Sequence, residues 1–120
     1  MLKKLMIATC LLFMAMSTQV FAAGAIAVDD DEGGTAEEVG FGIGFGKTRD
    51  EAGKEAMSEC RKHGNTNCKV KVRFDGCGAY AASKRYFGIG WGKTVAQAEK
   101  AALEQCGRSA CKVAVSECDD

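Results

Sequence analysis

The sequence predicts an α+β fold: a single disulfide-stapled domain built from two tandem strand-strand-helix-strand repeats, with an antiparallel sheet packed against two helices. Three observations carry this. The chain begins with an export-type leader, the remainder writes one pattern twice, and six cysteines follow the leader, an even number.

The leader is read first, because it is removed before folding. Met1-Leu2-Lys3-Lys4 is basic, Leu5 to Met16 is apolar except at Thr9 and Cys10, and Ser17-Thr18-Gln19 turns polar before Val20-Phe21-Ala22. A basic start, an apolar middle and a small-residue exit mark a secretory signal peptide, residues 1–22. The apolar run is shorter than the ~20 residues of a spanning helix. Cys10 sits inside that run rather than at its end, which favours ordinary cleavage near Ala22 over lipidation. The mature chain, 23–120, has the size of one domain with a modest core. It is expected to be periplasmic or secreted, with no membrane span after cleavage.

GFGIGFGKT, residues 40 to 48, returns as FGIGWGKT from Phe87 to Thr94. The match extends on both sides. Gly24-Ala25-Ile26-Ala27-Val28 answers Gly78-Ala79-Tyr80-Ala81-Ala82, Cys60 answers Cys106, and Cys68-Lys69-Val70-Lys71-Val72 answers Cys111-Lys112-Val113-Ala114-Val115. Cys77 is matched with Cys118. The boundaries are about 24–76 for the first repeat and about 77–118 for the second.

Within each repeat the elements follow in order. The first is a short apolar run suited to a buried strand. The second alternates strictly, with Phe41, Ile43 and Phe45 on one face and glycines leaving the other bare, a place for another backbone to approach. The third is a helix opened by a capping box, Thr48 with Glu51 or Thr94 with Gln97, and running to about Cys60 or Cys106. Its small residues, Ala52, Ala56 and Cys60 or Ala98, Ala102 and Cys106, form a smooth stripe at helical spacing. That stripe is expected to face the bare strand. The last element is an alternating strand through Val70, Val72 and Phe74, or Val113 and Val115.

The glycines do not make a phosphate loop. A Walker sequence needs glycine five positions before the Gly-Lys-Thr glycine, where Phe41 and Phe87 stand. The dinucleotide pattern fails as well, since Phe45 and Trp91 occupy its last glycine position. Lys47 and Lys93 are left beside helix N-termini, where an anion is held weakly.

Cys60, Cys68, Cys77, Cys106, Cys111 and Cys118 read as a disulfide framework of an oxidising compartment. Zinc is disfavoured: no CxxC pair occurs and His63 is the only histidine.

These motifs together, GAIAV, GFGIGFGKT with its Ala-rich helix ending in Cys, CKVKVRFDGCGAYA, and FGIGWGKT with a second Ala-rich helix, resemble a family of small exported bacterial proteins. That family is catalogued as a domain of unknown function, number 4189. The resemblance covers essentially all of the mature chain and implies export, an α+β fold and disulfides, but brings no catalytic residues. The acidic insert from Asp29 to Glu38 departs from the family pattern. Six cysteines allow 15 connectivities, and pairings that respect the repeat number about seven. The favoured set joins Cys60 to Cys68 and Cys106 to Cys111, stapling each helix end to the following strand, and leaves Cys77 to Cys118.

No residue set assembles a catalytic centre, and no cofactor or metal site is expected. His63 lies in a polar loop between two expected disulfide partners, with no acid or base partner suggested beside it. Asp50, Glu51, Glu55 and Glu59 lie on an amphipathic helix among Arg49, Lys54 and Arg61, as ordinary solvated pairs do. Candidate binding residues come from charge and aromaticity. Asp29, Asp30, Asp31 and Glu32 form an acidic block, Lys69, Lys71 and Arg73 line a basic strand, and Trp91 stands where the first repeat has Phe45. The aromatics Phe41, Phe45, Tyr86, Phe87 and Trp91 either fill a core opposite the helices or form a recognition surface. An exported, slightly acidic protein is a poor nucleic-acid binder, so the expected partner is another protein in the envelope or outside the cell. The leading expectation is a non-enzymatic periplasmic or secreted protein that binds another protein, and within that class an inhibitor or immunity-type protein using the Asp29 to Glu38 loop or the basic strand. An accessory protein stabilising an envelope apparatus such as a pilus is one alternative, and a small hydrolase with an unrecognised site is another.

Overall fold

The structure is a computed structural model that describes residues 23–30 and 34–119. Residues 1–22, which the sequence reads as a signal peptide, lie outside the described residues, as do Asp31 and Glu32 of the acidic block. The first half of the described chain contains β1 (Ala23–Asp29), β2 (Gly40–Gly46), α1 (Arg49–Lys62) and β3 (Lys69–Phe74). The second half contains β4 (Cys77–Ala82), β5 (Phe87–Gly92), α2 (Val95–Cys106) and β6 (Lys112–Cys118). The fold is α+β, as expected, but its strands form two antiparallel three-stranded sheets rather than one. Their orders are β2-β1-β3 and β5-β4-β6, so the first strand of each half is central.

Alternation along the central strands explains the layering. In β1, Ala23, Ala25 and Ala27 pack with Ala52, Ala56 and Cys60 of α1, while Ile26 and Val28 turn the other way. In β4, Ala79 and Ala81 pack on α2, and Tyr80 and Ala82 join Ile26, Val28, Val72, Phe74 and Val115. Large side chains therefore meet between the sheets, and small ones lie under the helices. The layers run helix, sheet, sheet, helix.

The glycine faces are filled by helix backbone. A Cβ on Gly42 would lie 2.6 Å from Ala56 O, and one on Gly44 would lie 2.7 Å from Glu55 C with Ala56 N closer still. Gly88 and Gly90 stand against Ala102, Cys106 and Ala98 in the same manner. This close approach of strand to helix is what the bare strand face and smooth helix stripe predict. Each helix starts at its expected threonine. Thr48 Oγ1 accepts from Glu51 N and Thr94 Oγ1 from Gln97 N, both at 3.1 Å. The Glu51 and Gln97 side chains reach one residue further back than a capping box requires, accepting from Lys47 N and Lys93 N at 2.9 Å. The backbone N–H groups of Lys47 and Lys93, beside the helix N-termini, are thus taken up by the helix's own side chains.

The last strands depart from simple alternation. Ile26 pairs with Val72 but Ala27 with Val70, and Tyr80 pairs with Val115 but Ala81 with Val113. One extra residue, Lys71 in β3 and Ala114 in β6, is inserted at each bulge, so Val70 turns to the helix side while Val72 and Phe74 face the other sheet. A period-two reading misses this because the bulge is set by pairing.

All three expected disulfides are present: Cys60–Cys68, Cys106–Cys111 and Cys77–Cys118. The sheet register corrects one alignment, however. Cys77 faces Gly92 as Ala23 faces Gly46, so Cys77 is the counterpart of Ala23 rather than of Cys118. The Cys77–Cys118 bond thus ties a central strand to an edge strand within the second sheet.

Candidate functional site

The β3 bulge has a consequence at the interface of the halves. It turns Lys71 inward, where its ammonium pairs with Asp30 Oδ1 at 3.2 Å and lies 4.6 Å from the Phe87 ring centre. Tyr80 Oη, from the second sheet, donates to the other Asp30 oxygen at 2.5 Å, and its ring stacks on Phe87 at 5.8 Å. The Asp30 and Lys71 side chains are 15% and 18% exposed. Burial first, and then the Asp30 carboxylate holding the proton, push the Tyr80 phenol well above its ordinary value. Asp30 and Lys71, which sequence reasoning nominates for partner binding, are thus spent on each other and on joining the two sheets.

Asp29 also works internally, accepting from Thr66 N and Asn67 N at 3.2 Å each and ordering the α1–β3 loop. Further along the insert, Glu38 accepts from Thr35 N and Thr35 Oγ1, and these hydrogen bonds hold its carboxyl below the ordinary value. Glu37 pairs with Lys112 at 3.8 Å in full solvent, an interaction worth little.

Aromatic residues divide by environment. Phe45 and Ile43 of β2 and Ile89 of β5 pack on the core between the sheets. Trp91 occupies the place of Phe45 yet is 61% exposed. Two neighbours explain the difference. In the first sheet the row reads Phe45, Gly24, Phe74; in the second it reads Trp91, Gly78, Glu117. The Phe74 ring is wedged against both Gly24 and Gly78, so one phenylalanine fills the space left by two glycines, and Trp91 remains at the rim. Its indole N–H has no hydrogen-bond partner among the described residues. Phe87 and Tyr86 are 48% and 45% exposed, and Arg108 lies 4.1 Å over the Tyr86 ring. Tyr86, Phe87 and Trp91 are thus three exposed aromatics along the β5 edge, with Arg108 over Tyr86 and Lys71 over Phe87.

A second feature lies on the first half. An open trough of about 440 Å³ runs between α1 and edge strand β3, lined by Gly53, Lys54, Met57, Arg61, Val70 and Arg73, with Asp50 at one end. Arg73 alternates away from Val72 and Phe74, and its guanidinium passes over Gly53, where a Cβ would stand 3.0 Å from Nη2. The sequence nominates Arg73 for binding and reads Lys54 and Arg61 as members of solvated helix pairs, yet neither of the latter side chains has an ion pair among the described residues. The available signal was Gly53, a glycine inside a helix at a cost of ~1 kcal/mol, where α2 carries Glu99.

His63 ends α1 and is exposed. Of the helix carboxylates, Glu51 is occupied by Lys47 N and Glu59 pairs with Lys62 at 3.3 Å. No group of three or more His, Cys, Asp or Glu suited to a metal occurs among the described residues. No helix among them is long and apolar enough to cross a membrane.

Comparison with known proteins places the sequence in a family. No curated protein and no solved structure matches the chain. A family model described as "Domain of unknown function (DUF4189)" matches residues 23–118, a span that takes in both sheets, both helices and the six disulfide-bonded cysteines. The chain belongs to the DUF4189 family.

Proposed function

We propose that the mature chain is an exported, non-enzymatic protein that binds another protein through the β5 face of its second sheet, in the manner of an inhibitor or immunity protein. The observation that carries this reading is Trp91, 61% exposed at the position where the first half packs Phe45 against the core between the sheets. Tyr86 and Phe87 extend the apolar surface, and Arg108 over Tyr86 completes an aromatic-cation set of the kind that concentrates binding energy. Exposed aromatic clusters mark interaction sites more often than isolated apolar residues do. Three disulfides in so small a domain hold such a surface rigid, which limits the ordering entropy lost on binding. Export and an oxidising location are supported by the leader's pattern and by the disulfides.

The test is crosslinking in the native envelope followed by capture on the mature protein, beside Trp91→Ala and a reduced control. A stoichiometric partner is expected for the native protein, with affinity lowered about 30-fold by Trp91→Ala, the loss of a ~2 kcal/mol anchor. The thermal midpoint of Trp91→Ala should stay close to that of the parent, because the ring contributes little to the core. Capture that is indifferent to Trp91 refutes this face as the binding surface.

A further inference from the structure

The trough between α1 and β3 lies on the first half, whereas Trp91 belongs to the second, and nothing in the fold requires its charges. The side chains of Lys54, Arg61 and Arg73 have neither an ion pair nor a hydrogen bond among the described residues. Like charges converging without counter-charge repel one another, and Asp50 alone supplies acid at the rim. The second half shows what the same elements look like without this arrangement. There Ser116 stands for Arg73 and Glu99 for Gly53, and Ser116 Oγ donates to Glu99 Oε2 at 2.7 Å, tying strand to helix. In the first half the small residue lies on the helix and the long cation on the strand, which leaves the trough open.

We infer that this trough binds an extended acidic segment of a protein partner, its carboxylates meeting Lys54, Arg61 and Arg73 and one apolar side chain resting on Met57 and Val70. The inference deepens the protein-binding reading and rests on it. Charge complementarity identifies the occupant: Arg73 and Arg61 offer planar forks suited to carboxylates, and the two apolar floor residues suit an aliphatic group between them. The dimensions agree with a short peptide. From Asp50 to Arg61 the helix rises roughly 16 Å, the length of about five extended residues. β3 is an edge strand, so the segment would run beside an open sheet edge, a familiar mode of peptide capture.

The experiment is a nitrogen-15 chemical-shift titration of the disulfide-intact mature protein with the capped pentapeptide acetyl-Glu-Glu-Leu-Glu-Glu-amide. Saturable shifts confined to α1 and β3 amides are expected, weakening as NaCl is raised. Arg73→Gln should lower the affinity about fivefold or more, while Lys100→Gln, the counterpart of Lys54 on α2, should leave it unchanged. Should Arg73→Gln disturb the remaining spectrum, Arg61→Gln, on the exposed helix surface, provides the same comparison. Shifts that map elsewhere, or affinity indifferent to both arginines, overturn the inference. So does inorganic phosphate producing the same shifts and competing at equal concentration, which would assign a free-anion site. Failure here with a Trp91-dependent partner still captured removes only the trough; peptide binding with no partner captured removes the protein-binding reading.

Discussion

Gly44→Ala tests the packing on which the fold rests. The backbone at Gly44 is ordinary extended strand, so alanine is conformationally acceptable and even restricts the unfolded chain, a gain of roughly 0.4–1 kcal/mol. Space is the obstacle. The added methyl would lie 2.7 Å from Glu55 C and nearer to Ala56 N and Ala52 O, all helix backbone rather than yielding side-chain ends. Ordinary contact begins near 3.4 Å, so α1 must lift from β2 along the alanine stripe. Overpacking of this kind costs about 1–3 kcal/mol, and a rigid neighbour places it at the upper end, leaving a net loss of ~2 kcal/mol. For a domain of this size that lowers the thermal midpoint by roughly 8–16 °C. Circular dichroism melts of oxidised protein measure it. Gly64→Ala makes the informative comparison, because its Cβ meets nothing within 4 Å while its φ of +91° is unfavourable for alanine. Gly64→Ala should cost about 1 kcal/mol through backbone strain alone. A Gly44→Ala protein that melts with the parent would refute the backbone-to-backbone account of the glycine face.

The disulfides should differ in worth by the length of chain they close. Replacing Cys77 and Cys118 by serine opens a separation of 41 residues and should cost ~4 kcal/mol, against ~2 kcal/mol for Cys106 and Cys111 at a separation of 5. Urea midpoints of the two double variants measure this, and equal losses would show that chain entropy is not the governing contribution. Tyr80 predicts an alkaline effect. Its phenol is raised in the folded state, so it keeps its proton where the unfolded chain's tyrosine ionises. The associated stability is full below about pH 10 and is lost as pH rises past it. Tyr80→Phe, which also gives up the Asp30 hydrogen bond, should be less stable than the parent at pH 7 by ~1 kcal/mol, the gap narrowing above pH 10 in denaturant titrations. A gap constant from pH 7 to 11 would contradict it.

Local rules made much of this chain legible. The glycine alternation opposite Ala52, Ala56 and Cys60 announced a helix lying directly on a strand, because glycine and small-residue periodicities are written in consecutive residues. Thr48 and Thr94 announced the helix starts for the same reason, and the six cysteines after the leader-like first 22 residues announced the disulfides. The charged and aromatic residues were harder to place. Asp30 and Lys71 looked like surface charges in sequence, since neither shows that a bulge will turn the lysine inward or that Tyr80 will approach from the other sheet. Trp91 and Phe45 occupy equivalent positions in nearly identical strands, and only Phe74, wedged between Gly24 and Gly78, decides which is covered. Lys54 and Arg61 likewise gained meaning when Arg73 crossed Gly53 to meet them. By itself the sequence determined the elements, their caps and the faces that carry small residues, because these follow from neighbours three or four positions apart on a helix and two apart on a strand. The division into two sheets, the bulges and the fate of each charge were decided only by tertiary structure, because they depend on pairings between strands that are distant in the chain.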